Sequence, residues 1–211
     1  MTVGDPGNWN ARFRSVDDRL LERIVAVWPR CVSLLKGQPE EDAITINLIA
    51  LLLQDEIVRR IVYWIEYQFE PFGYTAAGVA FSKGKIDMAV LLSQDRGTYL
   101  AYECKRLNVH YNGSRQSLAT VYVTEGLMRF VTGQYAEHLE IGGMLGYVMD
   151  GDCISAVSSV QAAIQANPNT RLRGSPRAFG AIGRIERFSS RHLKQTTATE
   201  IEIRHALLPF T

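Results

Sequence analysis

The amino-acid sequence predicts a single α/β domain in which helices flank a central mixed β-sheet. Apolar residues recur at helical spacing through the first third of the chain, and an alternating, strand-like pattern follows over residues 63–108. Helical and strand-like segments then alternate through the second half, which is the order expected for an α/β fold. A length of 211 residues suits one domain, and neither an internal repeat nor a linker divides the chain.

The N-terminal part is predicted to be helical after a short lead-in. Residues 1–14 contain several glycine, proline and asparagine residues and are predicted to form a flexible N-terminal lead-in, so that the domain spans residues 15–211. A first helix is predicted over residues 16–29, and Pro29 is expected to end or bend it. A second helical region is predicted for residues 36–62, where an acidic first turn suits the positive end of a helix.

Three strands are predicted next. Residues 63–75 alternate aromatic or apolar residues with polar ones, and residues 84–93 and 98–108 are mainly apolar. Only the short turn 94–97 separates the last two strands. We therefore expect them to pair as an antiparallel hairpin.

The second half of the chain is predicted to continue the alternation of helices and strands. A helix is expected over residues 119–140, a buried strand over 144–152 and an amphipathic helix over 154–167. Residues 171–194 are expected to be rich in loops. Residues 200–210 are expected to form a final strand.

The composition excludes several classes of protein. The chain is 46% hydrophobic and 21% charged with a formal net charge of +1, so a nucleic-acid partner would need a local basic patch. Three widely spaced cysteines argue against a disulfide framework or a zinc cluster and predict a reducing, cytoplasmic location. The polar N-terminus does not resemble a signal peptide, and no apolar run approaches the roughly 18 residues of a membrane span.

Two acidic residues and a lysine interrupt the apolar strands of the predicted hairpin. In the stretch YLAYECKRLN (99–108), alternation places Glu103 and Lys105 on the same face of the strand. In the preceding strand, Asp87 lies on the face opposite to its apolar neighbour Ile86. The hairpin can therefore bring Asp87, Glu103 and Lys105 together on one face of the sheet.

This combination of side chains has a chemical use. Two carboxylates at close range repel each other, and a divalent cation such as Mg²⁺, which prefers hard oxygen ligands, removes that cost. Such a cation lowers the pKa of a bound water and stabilises charge on a phosphate, while a nearby lysine can orient the water. These residue types suit phosphodiester hydrolysis. The alternative is an exposed cross-strand salt bridge, which contributes little to stability.

The motifs ID (86–87) and ECK (103–105), placed across a hairpin, resemble the signature of the PD-(D/E)XK nuclease superfamily. The order helix, strand, strand with Asp, strand with E-X-K, helix, strand is also similar to the common core of that superfamily over residues 40–150. The resemblance implies a restriction-endonuclease-like core. Isoleucine stands where proline is usual, which is a common departure, and Gln134-Tyr135 lacks the spacing of the RecB-like branch.

The resemblance also implies roles for individual residues. Asp87 and Glu103 would bind Mg²⁺ (or Mn²⁺), the main-chain carbonyl of Cys104 would be a further ligand, and Lys105 would serve the attacking water. A further catalytic acid is expected on the helix that precedes the sheet, and Glu41 is the preferred candidate. The lesser candidates for this acid are Glu40, Asp42 and Glu66.

The function implied by the resemblance is a Mg²⁺-dependent endodeoxyribonuclease, with DNA favoured over RNA, in bacterial or phage defence, restriction or repair. Many relatives dimerise to cut both strands, so a homodimer is left open. An activating or targeting protein partner is also left open, because the chain has little room for a recognition domain. The alternatives are a catalytically inactive nucleic-acid-binding or protein-interaction module, and a metal-independent ribonuclease that uses His192 or His205.

The stretch 171–194 is strongly basic. Its basic residues, set against the single acid Glu186, are Arg171, Arg173, Arg177, Arg184, Arg187, Arg191 and Lys194. Arginines among several glycines suit a segment that grips the phosphates of a nucleic acid. A solvated surface loop is the equally supported alternative.

Overall fold

A seven-stranded mixed β-sheet forms the centre of the computed structural model, which describes residues 6–134 and 139–211. The strands, in chain order, are β1 (Trp64–Phe69), β2 (Phe72–Tyr74), β3 (Ala80–Ser82), β4 (Ile86–Leu91), β5 (Tyr99–Leu107), β6 (Val109–Tyr111), β7 (Ser114–Gln116), β8 (Ile141–Val148), β9 (Arg177–Ala178), β10 (Glu186–Leu193) and β11 (Glu200–Pro209). The order in the central sheet is β1-β4-β5-β8-β11-β10-β9. The short pairs β2–β3 and β6–β7 stand apart from it.

Helices cover both faces of this sheet, which gives the α/β architecture predicted from the sequence. The helices are α1 (Pro6–Leu34), α2 (Glu41–Gln54), α3 (Val58–Ile61), α4 (Ala119–Val121), a π-helical segment (Tyr122–Leu127), α5 (Met128–Val131), α6 (Cys153–Ala166) and a 3₁₀ turn (Pro168–Thr170). Leu20 of α1 and Leu48 of α2 pack in one core cluster with Leu145 of β8. Tyr122 and Val160 belong to a second cluster, on the opposite face. No helix in the described part of the chain is long and apolar enough to cross a membrane.

The pairing of the strands is mixed. Strands β1, β4 and β5 are antiparallel neighbours, β5, β8 and β11 run parallel, and β10 and β9 are antiparallel again. The predicted hairpin is confirmed, because β4 pairs with β5 from Met88↔Tyr102 to Leu91↔Tyr99. The predicted final strand is confirmed as β11, which lies inside the sheet between β8 and β10.

Helix α1 is tied to the sheet by polar contacts as well as by its apolar face. The Trp28 indole donates a hydrogen bond to the Pro209 carbonyl at 2.7 Å. Asp17 is buried, accepts a hydrogen bond from the Tyr102 hydroxyl at 2.5 Å and lies 2.6 Å from the Arg204 guanidinium. Burial raises the pKa of Asp17 to about 6, against the lowering effect of Arg204. These contacts fix α1 across β5 and β11.

Two expectations about α1 are corrected. Residues 6–14, predicted as part of a flexible lead-in, are helical, because a proline such as Pro6 fits the first turn of a helix. Pro29 does not end the helix, which continues to Leu34. Trp28 and Cys31, on either side of this proline, are both buried, so packing against the core maintains the helix through it.

The second predicted helical region is divided in two. Helix α2 ends at Gln54 and α3 begins at Val58, because the Asp55 side chain accepts hydrogen bonds from the backbone N–H groups of Ile57 and Val58. This is the geometry by which aspartate begins a helix.

Two predicted boundaries in the second half also differ. The helix expected over 119–140 ends at Val131, and its residues 135–138 lie outside the described residues. Strand β8 begins at Ile141 rather than at 144, since the rings of Phe130 and Tyr102 fill the space beside Gly142 and Gly143 and make glycine suitable there.

The stretch predicted to be loop-rich is irregular over more than half of its length, but it also contains β9 and β10. Residues Glu186–Leu193 form β10, in which Phe188, Ser190 and His192 point into the core. The many charged residues on the other face concealed this alternation.

Candidate active site

The structure brings together the three side chains that the sequence singled out. The Lys105 ammonium lies 3.6 Å from Oδ2 of Asp87 and 3.8 Å from Oε2 of Glu103. Both carboxylates therefore approach one nitrogen. Asp87 comes from β4, and the other two residues come from β5.

The local geometry follows from where the hairpin ladder ends. Pairing between β4 and β5 stops at Met88↔Tyr102. One residue further on, Oδ2 of Asp87 accepts a hydrogen bond from the backbone N–H of Cys104 at 2.8 Å. A side-chain carboxylate thus takes the place of a backbone carbonyl as the acceptor. This exchange holds Asp87 beside the E-X-K segment.

Glu41 is the acid of helix α2 that reaches the cluster. Its Oε1 accepts a hydrogen bond from the Lys105 ammonium at 2.8 Å, and its Oε2 accepts one from the backbone N–H of Arg106 at 3.0 Å. Glu41 is the first residue of α2, so its position depends on where that helix begins. The cluster therefore links α2, β4 and β5.

The lesser candidates for the helical acid lie elsewhere. Glu40 is exposed and pairs with the guanidinium of Arg106 at 2.6 Å. Glu66, on the edge strand β1, pairs with Arg96 at 3.0 Å. Asp42 is hydrogen-bonded to Tyr67. Burial, and to a smaller extent this hydrogen bond, raises the pKa of Tyr67 to about 12. None of the three contacts Lys105 in the way that Glu41 does.

Glu103 is the most buried acid of the cluster, with 0% of its side chain exposed. Burial, followed by the charge of Asp87, raises its pKa to about 8, although Arg129 and Lys105 act in the opposite direction. The Arg129 guanidinium of α5 lies 3.3 Å from Oε2 of Glu103. That oxygen accepts no hydrogen bond from a described residue. Glu103 therefore has a buried oxygen with unused capacity to accept a donor or to bind a cation.

Lys105 remains charged in this environment. Burial acts to lower its pKa, but the neighbouring Asp87 and Glu41 carboxylates outweigh that effect and raise it. The ammonium also donates a hydrogen bond to the main-chain carbonyl of Cys104 at 2.8 Å. Burial raises the pKa of Glu41, and the charge of Lys105 opposes this. Lys105 thus supplies one positive charge shared by three carboxylates, and Arg129 supplies a second beside Glu103.

The donors predicted to bind Mg²⁺ are suitable in kind. Asp87 and Glu103 supply hard carboxylate oxygens, and the Cys104 carbonyl faces the same ammonium as they do. The described residues contain no group of three or more His, Cys, Asp or Glu side chains arranged to hold a metal. A site of two carboxylates and one carbonyl needs only two such side chains, and Mg²⁺ commonly keeps several water ligands.

An open cleft of about 470 Å³ adjoins Glu41 and Lys105. Its lining is mainly acidic, because Glu40, Asp42 and Glu125 lie beside Glu41 and only Lys105 and Arg106 oppose them. The π-helical segment borders this cleft, and at Gly126 an added Cβ would lie 2.6 Å from Cε of Met144 and 3.4 Å from Cγ of Lys105. The absence of a side chain at Gly126 therefore lets that segment pack against Met144 of β8, beside the stem of the lysine.

The basic stretch 171–194 does not form a single surface. Four of its residues make internal contacts: the Arg171 guanidinium donates to the Lys194 carbonyl, the buried Lys194 ammonium donates to the Leu139 carbonyl, Arg184 bonds to Thr211, and Arg187 lies 3.6 Å from Asp18. The remaining three line a different cleft, on the α1 side of the sheet. They are Arg173, Arg177 and Arg191.

The histidines named as alternative catalysts are buried in the core. His192 bonds to the Thr170 carbonyl and to Ser190, whose hydroxyl contacts His205, which in turn contacts the Tyr122 hydroxyl. Burial lowers the pKa of His192 to about 4 and that of His205 well below its usual value. Neutral imidazoles inside the core are unsuited to contact RNA, so this arrangement argues against a histidine-dependent ribonuclease.

Some residues of the site gave little sign of their role in the sequence. Glu125 lines the acidic cleft from the π-helical segment, and the backbone of Arg106 binds Glu41. For Arg106, the one indication in the sequence is its position directly after the E-X-K segment. Glu125 carried none, because its place depends on the irregular turn of the helix.

In comparisons with known proteins, no family model, no curated protein and no solved structure matches this chain. The functional interpretation therefore depends on the residues of the site and on the resemblance of their motif.

Proposed function

We propose that this protein is a divalent-cation-dependent nuclease with a restriction-endonuclease-like core, which hydrolyses phosphodiester bonds and favours DNA over RNA. The observation that carries the proposal is the ammonium of Lys105 within 4 Å of carboxylate oxygens of Glu41, Asp87 and Glu103. An acidic helix start, an Asp-bearing strand and an E-X-K strand supply these groups in the expected order. The cluster adjoins an open cleft, as a site for a polymeric substrate requires.

The residues that would hold Mg²⁺ or Mn²⁺ are Asp87 and Glu103, with the carbonyl of Cys104. When bound, the cation would lower the pKa of a water molecule and neutralise charge on the phosphate. Lys105 is held by Glu41 and by the Cys104 carbonyl, and its ammonium also lies beside the Asp87 and Glu103 carboxylates. Because the pKa of Lys105 is raised, it acts as a charged donor that orients the nucleophile and stabilises negative charge, rather than as a base.

The electrostatics of the cleft support a dependence on cations. Four acidic residues line it against two basic ones, so the bare cleft repels a phosphate backbone. A divalent cation held by Asp87 and Glu103, which lie beside Lys105 but do not line the cleft, would weaken this repulsion. Binding of nucleic acid at this cleft is therefore expected to require the cation, and not only cleavage.

The test is a nuclease assay with circular and linear DNA and with RNA, in Mg²⁺ or Mn²⁺ and in EDTA. We expect cation-dependent cleavage of DNA that is lost in the variant Lys105→Ala. The matched control is Lys36→Ala, the same change at an exposed lysine outside the cleft. Cleavage that persists in EDTA, or that both lysine variants retain, would contradict the proposal.

A second candidate function is a module on the same fold that binds nucleic acid or protein without cleavage. It is favoured by one observation, which is that Lys105 lies within 4 Å of all three carboxylates and Arg129 lies 3.3 Å from Glu103, so that part of their charge is compensated without a metal. This function predicts that Mn²⁺ does not bind in calorimetric titration. It also predicts that Asp87→Asn leaves the affinity for nucleic acid unchanged.

A further inference from the structure

A second cleft, of about 700 Å³, lies on the α1 side of the sheet near its β9 edge. Its volume is within the range of small-molecule sites. Five arginines contribute to its lining, and it shares no lining residue with the acidic cleft. Those arginines are Arg14, Arg173, Arg177, Arg191 and Arg204.

Three adjacent strands build the floor of this cleft. Ser189 of β10 is paired with Arg204 of β11 on one side and with Arg177 of β9 on the other. Paired residues on neighbouring strands point to the same face of a sheet, so these three side chains form a row across it. Arg191, two residues after Ser189, extends the same face.

The charges of the five arginines are not equally compensated. Arg204 lies 2.6 Å from Asp17 and 3.0 Å from Asp18, and Arg14 lies 2.9 Å from Glu202. The contact between Arg173 and Glu200 is long, at 3.9 Å.

Arg177 and Arg191 make no ion pair with any residue in the described ranges. Both are exposed, and both line the cleft. Together with Arg173 they form a patch of available positive charge, and guanidinium groups bind phosphate oxygens well because their paired donors match its geometry.

An aromatic ring lies in the same cleft. Phe179 lines it, is 41% exposed and has the Arg204 guanidinium 4.9 Å from its ring centroid. An exposed ring beside arginines can stack on a nucleobase.

Two carboxylates complete the lining and narrow the choice of ligand. Glu200 and Glu202 would repel a continuous phosphodiester chain, yet they can accept hydrogen bonds from ribose hydroxyls or from an exocyclic amine. The cleft therefore suits a discrete ligand with its negative charge at one end.

We propose that this cleft binds a free nucleotide, with the phosphates on Arg173, Arg177 and Arg191 and the base on Phe179. Strand β10 is three positions from β5 in the sheet, and the two clefts share no lining residue. The nucleotide is therefore a separate ligand and not the substrate of that cluster. This inference does not depend on the proposed nuclease function.

The test is calorimetric titration of the full chain with ATP, AMP, tripolyphosphate and a single-stranded ten-nucleotide DNA. ATP is expected to bind saturably, and the double variant Arg177→Ala/Arg191→Ala to bind it about tenfold or more weakly. Arg59→Ala, the same change at an exposed arginine of α3, is the control and should bind ATP as the unmodified protein does. Phe179→Ala is expected to weaken ATP but not tripolyphosphate.

Three results would overturn the inference. One is the absence of saturable binding of either nucleotide. Another is tripolyphosphate binding as tightly as ATP with no effect of Phe179→Ala, which indicates a polyanion site. The third is binding of only the DNA, lost in the double arginine variant, which assigns the cleft to a polynucleotide. Both variants should be measured in both assays, so that failure of one proposal can be distinguished from failure of the other. Lys105→Ala should retain ATP binding, and the double arginine variant should retain cation-dependent cleavage.

Discussion

Glu41 and Lys105, which are 64 residues apart in the sequence, are joined by a hydrogen bond of 2.8 Å between Oε1 and Nζ. The bond ties the first turn of α2 to β5 at the point where Asp87 and Glu103 also approach the lysine. The position of Lys105 therefore depends on α2 through the single residue Glu41, among the described contacts.

Replacement of Glu41 by glutamine should lower cation-dependent cleavage by about tenfold or more, because Lys105 loses the charge that holds it. Glu40→Gln is the matched control, since Glu40 is exposed and pairs only with Arg106. Initial rates in Mg²⁺ at several DNA concentrations would measure both variants. Equal losses in the two variants would show that Glu41 has no special role.

Removal of the lysine should change how the protein responds to cations. In Lys105→Ala the carboxylates of Glu41, Asp87 and Glu103 lack their common counter-charge, which destabilises the fold by a few kcal/mol, on the order reported for broken buried pairs. Mn²⁺ should therefore raise the melting temperature of this variant more than that of the unmodified protein. Thermal unfolding with and without Mn²⁺ measures this, and identical shifts in both proteins would count against a cation site.

His192 should make a contribution to stability that is lost in acid. Its pKa is 6.5 in the unfolded chain and about 4 in the folded protein, so between these values the unfolded chain binds more protons. The stabilisation is fully present above pH 6.5 and is lost as the pH falls through 4. At about 1.4 kcal/mol per pKa unit, the contribution of His192 to the free energy of unfolding should decrease by roughly 3 kcal/mol, whereas Asp17 and Glu103, whose pKa values are raised, contribute in the opposite direction.

Urea unfolding at pH 4, 5, 6 and 7 would measure this slope. Relative to His192→Gln, the unmodified protein should lose stability as the pH falls, since the contributions of Asp17, Glu103 and all other groups are common to both. Parallel slopes would mean that His192 does not remain neutral in the folded core.

Gly143→Ala should destabilise the fold by about 3 kcal/mol, as overpacking of a core does. A methyl group at this position of β8 would overlap the ring of Tyr102, which is buried and bound to Asp17. Gly97→Ala is the control, because the nearest atom to its added Cβ is the mobile end of the Asp95 side chain at 3.2 Å. Equal midpoints in urea for the two variants would refute this account.

The grouping of Asp87, Glu103 and Lys105 could be predicted from the sequence because it depends on residues close together in the chain. A short turn fixes the β4–β5 hairpin, and the two-residue period of a strand then places Glu103 and Lys105 on one face. Glu41 was preferred over its acidic neighbours, and the contact to Lys105 supports that choice. The role of each residue in catalysis stays a prediction.

The parts that could not be predicted depend on contacts between distant segments. Arg14 and Glu202 meet across 188 residues, and no pattern in the sequence signals this pairing. The basic stretch appeared to be one surface, yet Lys194 is buried while Arg191 is exposed. The pairing of β10 with β11 decides which side chains reach solvent, and that register is a property of the whole sheet.

The place of β11 inside the sheet has a consequence for the synthesis of the protein. Strand β8 ends at Val148, and its neighbour β11 begins only at Glu200, about 50 residues later. At a translation rate of roughly 5–20 residues per second, the edge of β8 has no partner strand for about 3–10 s. An exposed apolar edge of this kind recruits other extended chains. Slow translation between the two strands should therefore lower the yield of folded protein more than an equal delay elsewhere.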